Sequence, residues 1–120
     1  MVYSVRTHGV TIGHSDLEDD DRAMGVAIGV FRPGPSYELV QPIFLLKTDI
    51  VGLTSAHPVD EAKLARYRQA FATLALELVD EHDDVVQTTW IEIDDCSREG
   101  GPDAFEMSAE IPDETFWAKR

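Results

Sequence analysis

The chain has 120 residues, and its 23 Asp plus Glu against 10 Lys plus Arg give a formal charge of −13. A field of that sign repels nucleic acid, phosphate-rich ligands and anionic membranes, and it attracts basic proteins, whose association it speeds about 10- to 1,000-fold at low salt. A length near the modal domain size, with 43% hydrophobic residues, excludes global disorder and points to one domain over residues 1–120.

No run approaches the roughly 18 apolar residues that span a bilayer, and "MVYSVRTHGV" lacks the order of a signal peptide, so the expected compartment is the cytoplasm. A lone cysteine, Cys96, fits reducing conditions. With three Lys, seven Arg and no Asn, the acidity also has a plainer source in GC-rich coding or a saline habitat.

Along the chain, "YSVRTHGVTIGH" predicts two short strands joined at His8-Gly9, where Gly accepts positive φ and His tolerates it. A two-residue loop there sets Thr7 opposite Val10, Val5 opposite Ile12 and Tyr3 opposite His14. "HSDLEDDDR" (14–22) packs five carboxylates into nine residues, and mutual repulsion predicts an exposed connector. "MGVAIGVF" (24–31) is a β-type run ended by "RPGPS", and "YELVQPIFLLKT" reads as a further strand, with Pro42 at an edge or bulge. "DIVGLTSAH" (49–57) reads as a loop or bent strand.

From about 58 to 82 the spacing predicts a long amphipathic helix. Leu64, Tyr67, Phe71, Leu74, Ala75, Leu78 and Val79 form its apolar stripe, and Arg66, Gln69, Thr73, Glu77, Asp80 and Asp84 lie opposite. Pro58, Asp60 and Glu61 suit its first turn and His82 its end. Leu76 projects from the polar face. Beyond it, "VVQTTWIEIDD" and "AFEMSAEI" alternate strictly around "REGGP", as strands with one wet face do. Phe116 and Trp117 are expected to fold back onto the sheet, or else to dock on a second copy. The sum is α+β: a mainly antiparallel sheet of 5–7 strands with the long helix packed on one face.

Chemistry-bearing motifs are weak. An EF-hand loop started at Asp16 would need Gly where Asp21 stands and Glu where Ala27 stands. His14 with Asp16 or Asp19 is far short of a multi-His or Cys metal cluster. The glycines at 25–29 precede no helix and no Lys-Ser/Thr pair, so they predict no phosphate cradle. Asp94 and Asp95 disfavour a thiolate at Cys96, although Arg98 partly offsets them. No catalytic residue, metal or cofactor is expected.

In size, acidity and lack of a catalytic signature, the chain is similar to small bacterial immunity and inhibitor proteins. The charge of −13, the lack of a catalytic constellation and the acidic clusters at 16–21 and 80–84 make non-enzymatic binding of a basic protein, for example as an immunity or inhibitor type protein, the expected function. Asp16, Leu17, Glu18, Asp19, Asp20 and Asp21 would form one contact, with Leu17 as an apolar anchor, and Leu76, Asp80 and Asp84 a second. One alternative is a small enzyme or ligand binder, with Tyr3, His14, Trp90 or Glu92 in a pocket between sheet and helix. Another is a structural unit that forms a homodimer through Phe116 and Trp117.

Overall fold

The computed structural model describes residues 1–51, 61–101 and 104–120. In chain order its strands are β1 (Tyr3–Thr7), β2 (Val10–Ser15), β3 (Asp19–Asp21), β4 (Val26–Val30), β5 (Arg32–Pro33), β6 (Glu77–Val79), β7 (Val85–Val86), β8 (Trp90–Asp95) and β9 (Phe105–Glu110). A 3₁₀ turn (Pro35–Leu39), α1 (Gln41–Val51) and α2 (Glu61–Leu74) stand between β5 and β6. The short α3 (Ser97–Gly100) joins β8 to β9, and α4 (Glu114–Ala118) follows. The fold is α+β with two antiparallel sheets, ordered β5-β2-β1-β6-β7 and β3-β4-β9-β8. This corrects the expectation of one sheet beneath one long helix.

The first hairpin turns where the sequence predicts, with His8 at φ 48° and Gly9 at φ 81°. Thr7 faces Val10 as expected, but a bulge between Val5 and Arg6 then shifts the register. Val5 faces Gly13, Tyr3 faces Ser15, and His14 pairs with Ser4 instead of Tyr3. The extra residue lets both Ile12 and Gly13 sit buried in succession.

Among the described residues the chain passes between the sheets at three places: residues 87–89 link β7 to β8, and the other two passages carry Leu17, between β2 and β3, and Phe31, between β4 and β5. Both side chains are fully buried. The Leu17 and Phe31 crossings each leave room for close approach at a glycine: a Cβ on Gly13 would lie 2.6 Å from the Arg32 carbonyl and closer still to the Phe31 ring. A Cβ on Gly29 would lie 2.8 Å from the Leu17 Cα. These two close approaches hold the sheets together over one core. Into it β1 sends Tyr3 and Val5, β8 sends Ile91 and Ile93, and β9 sends Phe105, Met107 and Ala109.

The alternation matches the structure over β8 and β9, with Ile93 facing Met107 and Ile91 facing Ala109, but the single strand expected from Val85 to Asp95 is broken, since Val85 and Val86 pair with β6 in the other sheet. The long helix does not match. Leu64, Tyr67, Phe71 and Leu74 do form the inner stripe of α2, but the helix stops at Leu74, where Ala75 turns left-handed at φ 47°. Leu78 and Val79 then pair with Val5 and Ser4 of β1. "YELVQPIFLLKT" is likewise helical rather than extended, because Pro42 sits in the first turn of α1, where its missing N–H costs nothing. The expected helix start at Pro58 and Asp60, and residues 52–57 of the expected loop, lie outside the described residues. Phe116 and Trp117 fold back against the core, with Phe116 6.0 Å from the Tyr3 ring.

Candidate functional site

An open groove of about 600 Å³ lies between the Leu17 crossing, the β6–β7 hairpin and α4. Asp16, Glu18 and Asp20 line it from the crossing, Asp80 and His82 from the hairpin, and Lys119 and Arg120 from the segment after α4. Tyr3, Val85, Val86 and Phe116 supply its apolar surface. The fold thus brings two acidic segments, separated by about sixty residues of sequence, to one concave surface.

Several acids of these two segments already have partners within the chain. Asp16 pairs with Arg32 at 3.2 Å, and Glu18 accepts the Val30 N–H at 2.8 Å across the crossing. Asp21 accepts from the Met24 N–H in the turn to β4. Asp80 accepts the N–H groups of His82 and Asp84 at 2.8 and 3.0 Å, which closes a turn in which Asp83 adopts φ 62°. Asp80 and Asp84 are therefore turn partners, not the like-charged helical neighbours their spacing suggested.

Asp19 to Asp21 form strand β3, not an irregular connector, and β3 is an edge of the four-stranded sheet. Three carboxylates on a sheet edge oppose pairing with another strand, a structural use for the densest acid in the chain. Leu17 has no exposed surface, so it is not available as an apolar anchor. Leu76 is partly buried against the core beyond the end of α2.

Among the pocket residues expected in the alternative reading, Tyr3 lines the groove, whereas His14, Trp90 and Glu92 stand elsewhere. Burial raises the Tyr3 hydroxyl above its ordinary pKa; Arg120 opposes the shift, and Asp80 and Glu81 add to it. His82 is exposed, 3.7 Å from Glu81, in water rather than in the dry pocket that general acid–base chemistry needs.

The residues least visible in the sequence are basic. Arg120 donates to the Leu17 carbonyl at 2.6 Å and the Asp19 carbonyl at 3.2 Å, and pairs with Asp20 at 3.3 Å. Its guanidinium lies 5.5 Å from the Phe116 ring centre and 5.7 Å from that of Trp117. Arg22 stands 6.0 Å from the Trp117 ring and donates to the Arg120 carbonyl at 3.0 Å. An aromatic pair followed closely by basic residues, "FWAKR", is the one signal that could have placed this cluster.

Two polar clusters lie outside the groove. Asp95, fully buried at the end of β8, accepts from the Tyr37 hydroxyl (2.8 Å), the Gln41 amide (3.1 Å), and the Ser97 hydroxyl (2.6 Å) and N–H (3.0 Å). Burial pushes its pKa up, but the bonds from Ser97, Tyr37 and Gln41 outweigh it and hold the carboxyl below its ordinary value. Lys47 of α1 bridges Glu92 and Asp94 on β8. Burial lowers its pKa, but the two carboxylates win and raise it, so this lysine stays charged and ties α1 to the sheet.

Among the described residues no group of three or more His, Cys, Asp or Glu side chains is arranged to hold a metal ion, and no helix is long and apolar enough to cross a membrane. Comparison with protein-family models, curated proteins and solved structures finds no match.

Proposed function

We propose that this chain is a non-enzymatic protein-binding domain that receives a basic segment of a partner in the groove between the Leu17 crossing and the β6–β7 hairpin. One observation carries the reading: Asp16, Glu18, Asp20 and Asp80 line one groove together with the apolar side chains of Tyr3, Val85, Val86 and Phe116. Charged and apolar side chains side by side on one concave surface suit a protein contact. The overall charge of −13 supplies approach and selectivity, and the apolar side chains supply burial. Asp19, Asp21 and Asp84 are exposed and do not line the groove, while Leu17 and Leu76 serve the core.

The test is an amide NMR titration of the full chain with a short blocked peptide of alternating Arg and Leu, at 50 and 300 mM NaCl. Shifts are expected to cluster at residues 16–20, 80–86 and 114–120, and the affinity to fall roughly threefold or more at the higher salt. Scattered shifts, or none at either salt, would overturn the reading. The groove volume also falls within the range of small-ligand pockets, about 300 to 1,000 Å³, which supports ligand binding as a second reading. An uncharged apolar fragment that shifts the same amides more strongly than the peptide, without salt dependence, would favour it.

A further inference from the structure

We propose that the Leu17 and Asp19 carbonyls, the Asp20 carboxylate and the rings of Phe116 and Trp117 form a guanidinium site, which Arg120 fills in the free chain and an arginine of the basic partner takes over. This rests on the protein-binding reading above and names both the chemistry recognised and the way the site is kept closed.

The convergence is specific in kind. Two backbone carbonyls and one carboxylate offer acceptors within 3.3 Å of the guanidinium nitrogens, and two aromatic ring centres stand 5.5 and 5.7 Å from its carbon. A guanidinium uses both, because its planar fork of N–H donors reaches several acceptors while its face meets the rings. An ammonium has no such plane. Leu17 takes φ 43°, a conformation few non-glycine residues adopt, and its buried side chain fixes it there. The Leu17 carbonyl is therefore held by the crossing, and the backbone of Asp19 and Asp20 by the pairing of β3 with β4, rather than by Arg120.

The occupant is also separable from the elements around it. Helix α4 is held without the Arg120 side chain: the Trp117 indole N–H donates to the Ile111 carbonyl at 2.8 Å, Phe116 packs on Tyr3, and Asp113 caps the first turn. Arg22 holds the Arg120 carbonyl, so the side chain can leave while the backbone stays. An arginine from outside would then meet the same acceptors at the edge of a groove lined by Asp16, Glu18 and Asp80. A self-filled site lowers apparent affinity by the fraction of time it is open, so removing its own arginine tightens binding.

The experiment compares the wild-type chain with Arg120→Ala and Arg120→Lys, using the Arg/Leu peptide and, separately, methylguanidinium and methylammonium as probes. Far-UV circular dichroism and the Trp117 indole resonance report whether α4 stays in place. Expected are peptide binding to R120A about fivefold or more tighter than to wild type, an intermediate value for R120K, and methylguanidinium shifts at residues 17–20 in R120A alone, with methylammonium much weaker. Equal or weaker peptide binding by R120A, with wild type still binding, overturns the displacement and leaves the protein-binding reading standing. Failure of both chains to bind peptide, even where R120A takes methylguanidinium, overturns both. Equal response to the two small cations overturns guanidinium selectivity.

Discussion

At residue scale the most exposed test of the structure is Asp95, a carboxylate with no solvent-accessible surface. It joins the start of α1 to the end of β8 through Tyr37, Gln41 and Ser97. Asp95→Asn keeps the shape but replaces an anion with an amide that cannot accept all of these donors, and about 2 kcal/mol of stability should be lost. Because the folded carboxyl holds its proton less readily than the unfolded one, its contribution is full above the unfolded value near pH 4 and fades as pH falls through the lower folded value. The gap in urea unfolding free energy between wild type and D95N should therefore be constant from pH 7 to 5 and narrow below about pH 4. A gap that widens on acidification would contradict the ionised carboxylate. Gly29→Ala is a second test, since the new methyl meets the Leu17 Cα, backbone that cannot rotate away. A cost of about 1 to 3 kcal/mol is expected, against about 1 kcal/mol for Gly9→Ala, which has open space and only its positive φ to oppose it. Asp95 was legible in part: it shares the parity of Ile91 and Ile93, which places it inward. Leu17 was not, because one apolar residue among five acids gives no periodicity from which to infer a buried crossing.

At the scale of elements, what misled the sequence reading was a coincidence of periods. Leu74 and Leu78 stand four apart, as on a helix, but Leu76 and Leu78 stand two apart, as on a strand. The choice is made by β1, whose pairing with β6 captures residues 77–79 from more than seventy positions away. No local glycine or proline announces the stop, so Ala75 must take the left-handed conformation itself. Ala75→Gly should relieve that strain and stabilise the protein by about 0.5 to 1 kcal/mol, read as a shift in urea midpoint at unchanged slope. A destabilised A75G would mean that the alanine methyl is packed, not strained. The error at α1 has another cause: an apolar run of Ile43 to Leu46 fits either a buried strand or a helix, and Pro42 suits both an edge and a first turn. By contrast, β8 and β9 were legible because each has one buried and one wetter face. The candidate site was half legible, since the acidic segments stand out in the sequence but their meeting at one groove, with Arg120 between them, depends on the pairing of distant strands.

For the whole molecule the deciding quantity is how far charges reach compared with how large the protein is. The fold measures 42 × 32 × 27 Å, and the screening length is about 30 Å at 10 mM salt and about 10 Å at 100 mM. At the lower concentration each surplus carboxylate feels nearly all the others, whereas at the higher it feels only its neighbours. The contact pairs, such as Asp16 with Arg32 and Lys47 with Glu92 and Asp94, are 4 Å or less apart and lose little over that range. A net charge of −13 therefore makes screening a stabilising change here, because the long-range term it removes is repulsive. Raising NaCl from 10 to 100 mM at neutral pH should raise the melting temperature by about 3 to 5 °C, the equivalent of about 1 kcal/mol for a chain of this size. The same increase should weaken capture of a basic peptide in the groove, so stability and affinity should move in opposite directions with salt. If the melting temperature falls instead, the paired charges dominate the unpaired ones, and the field that the protein-binding reading relies on is largely spent inside the molecule.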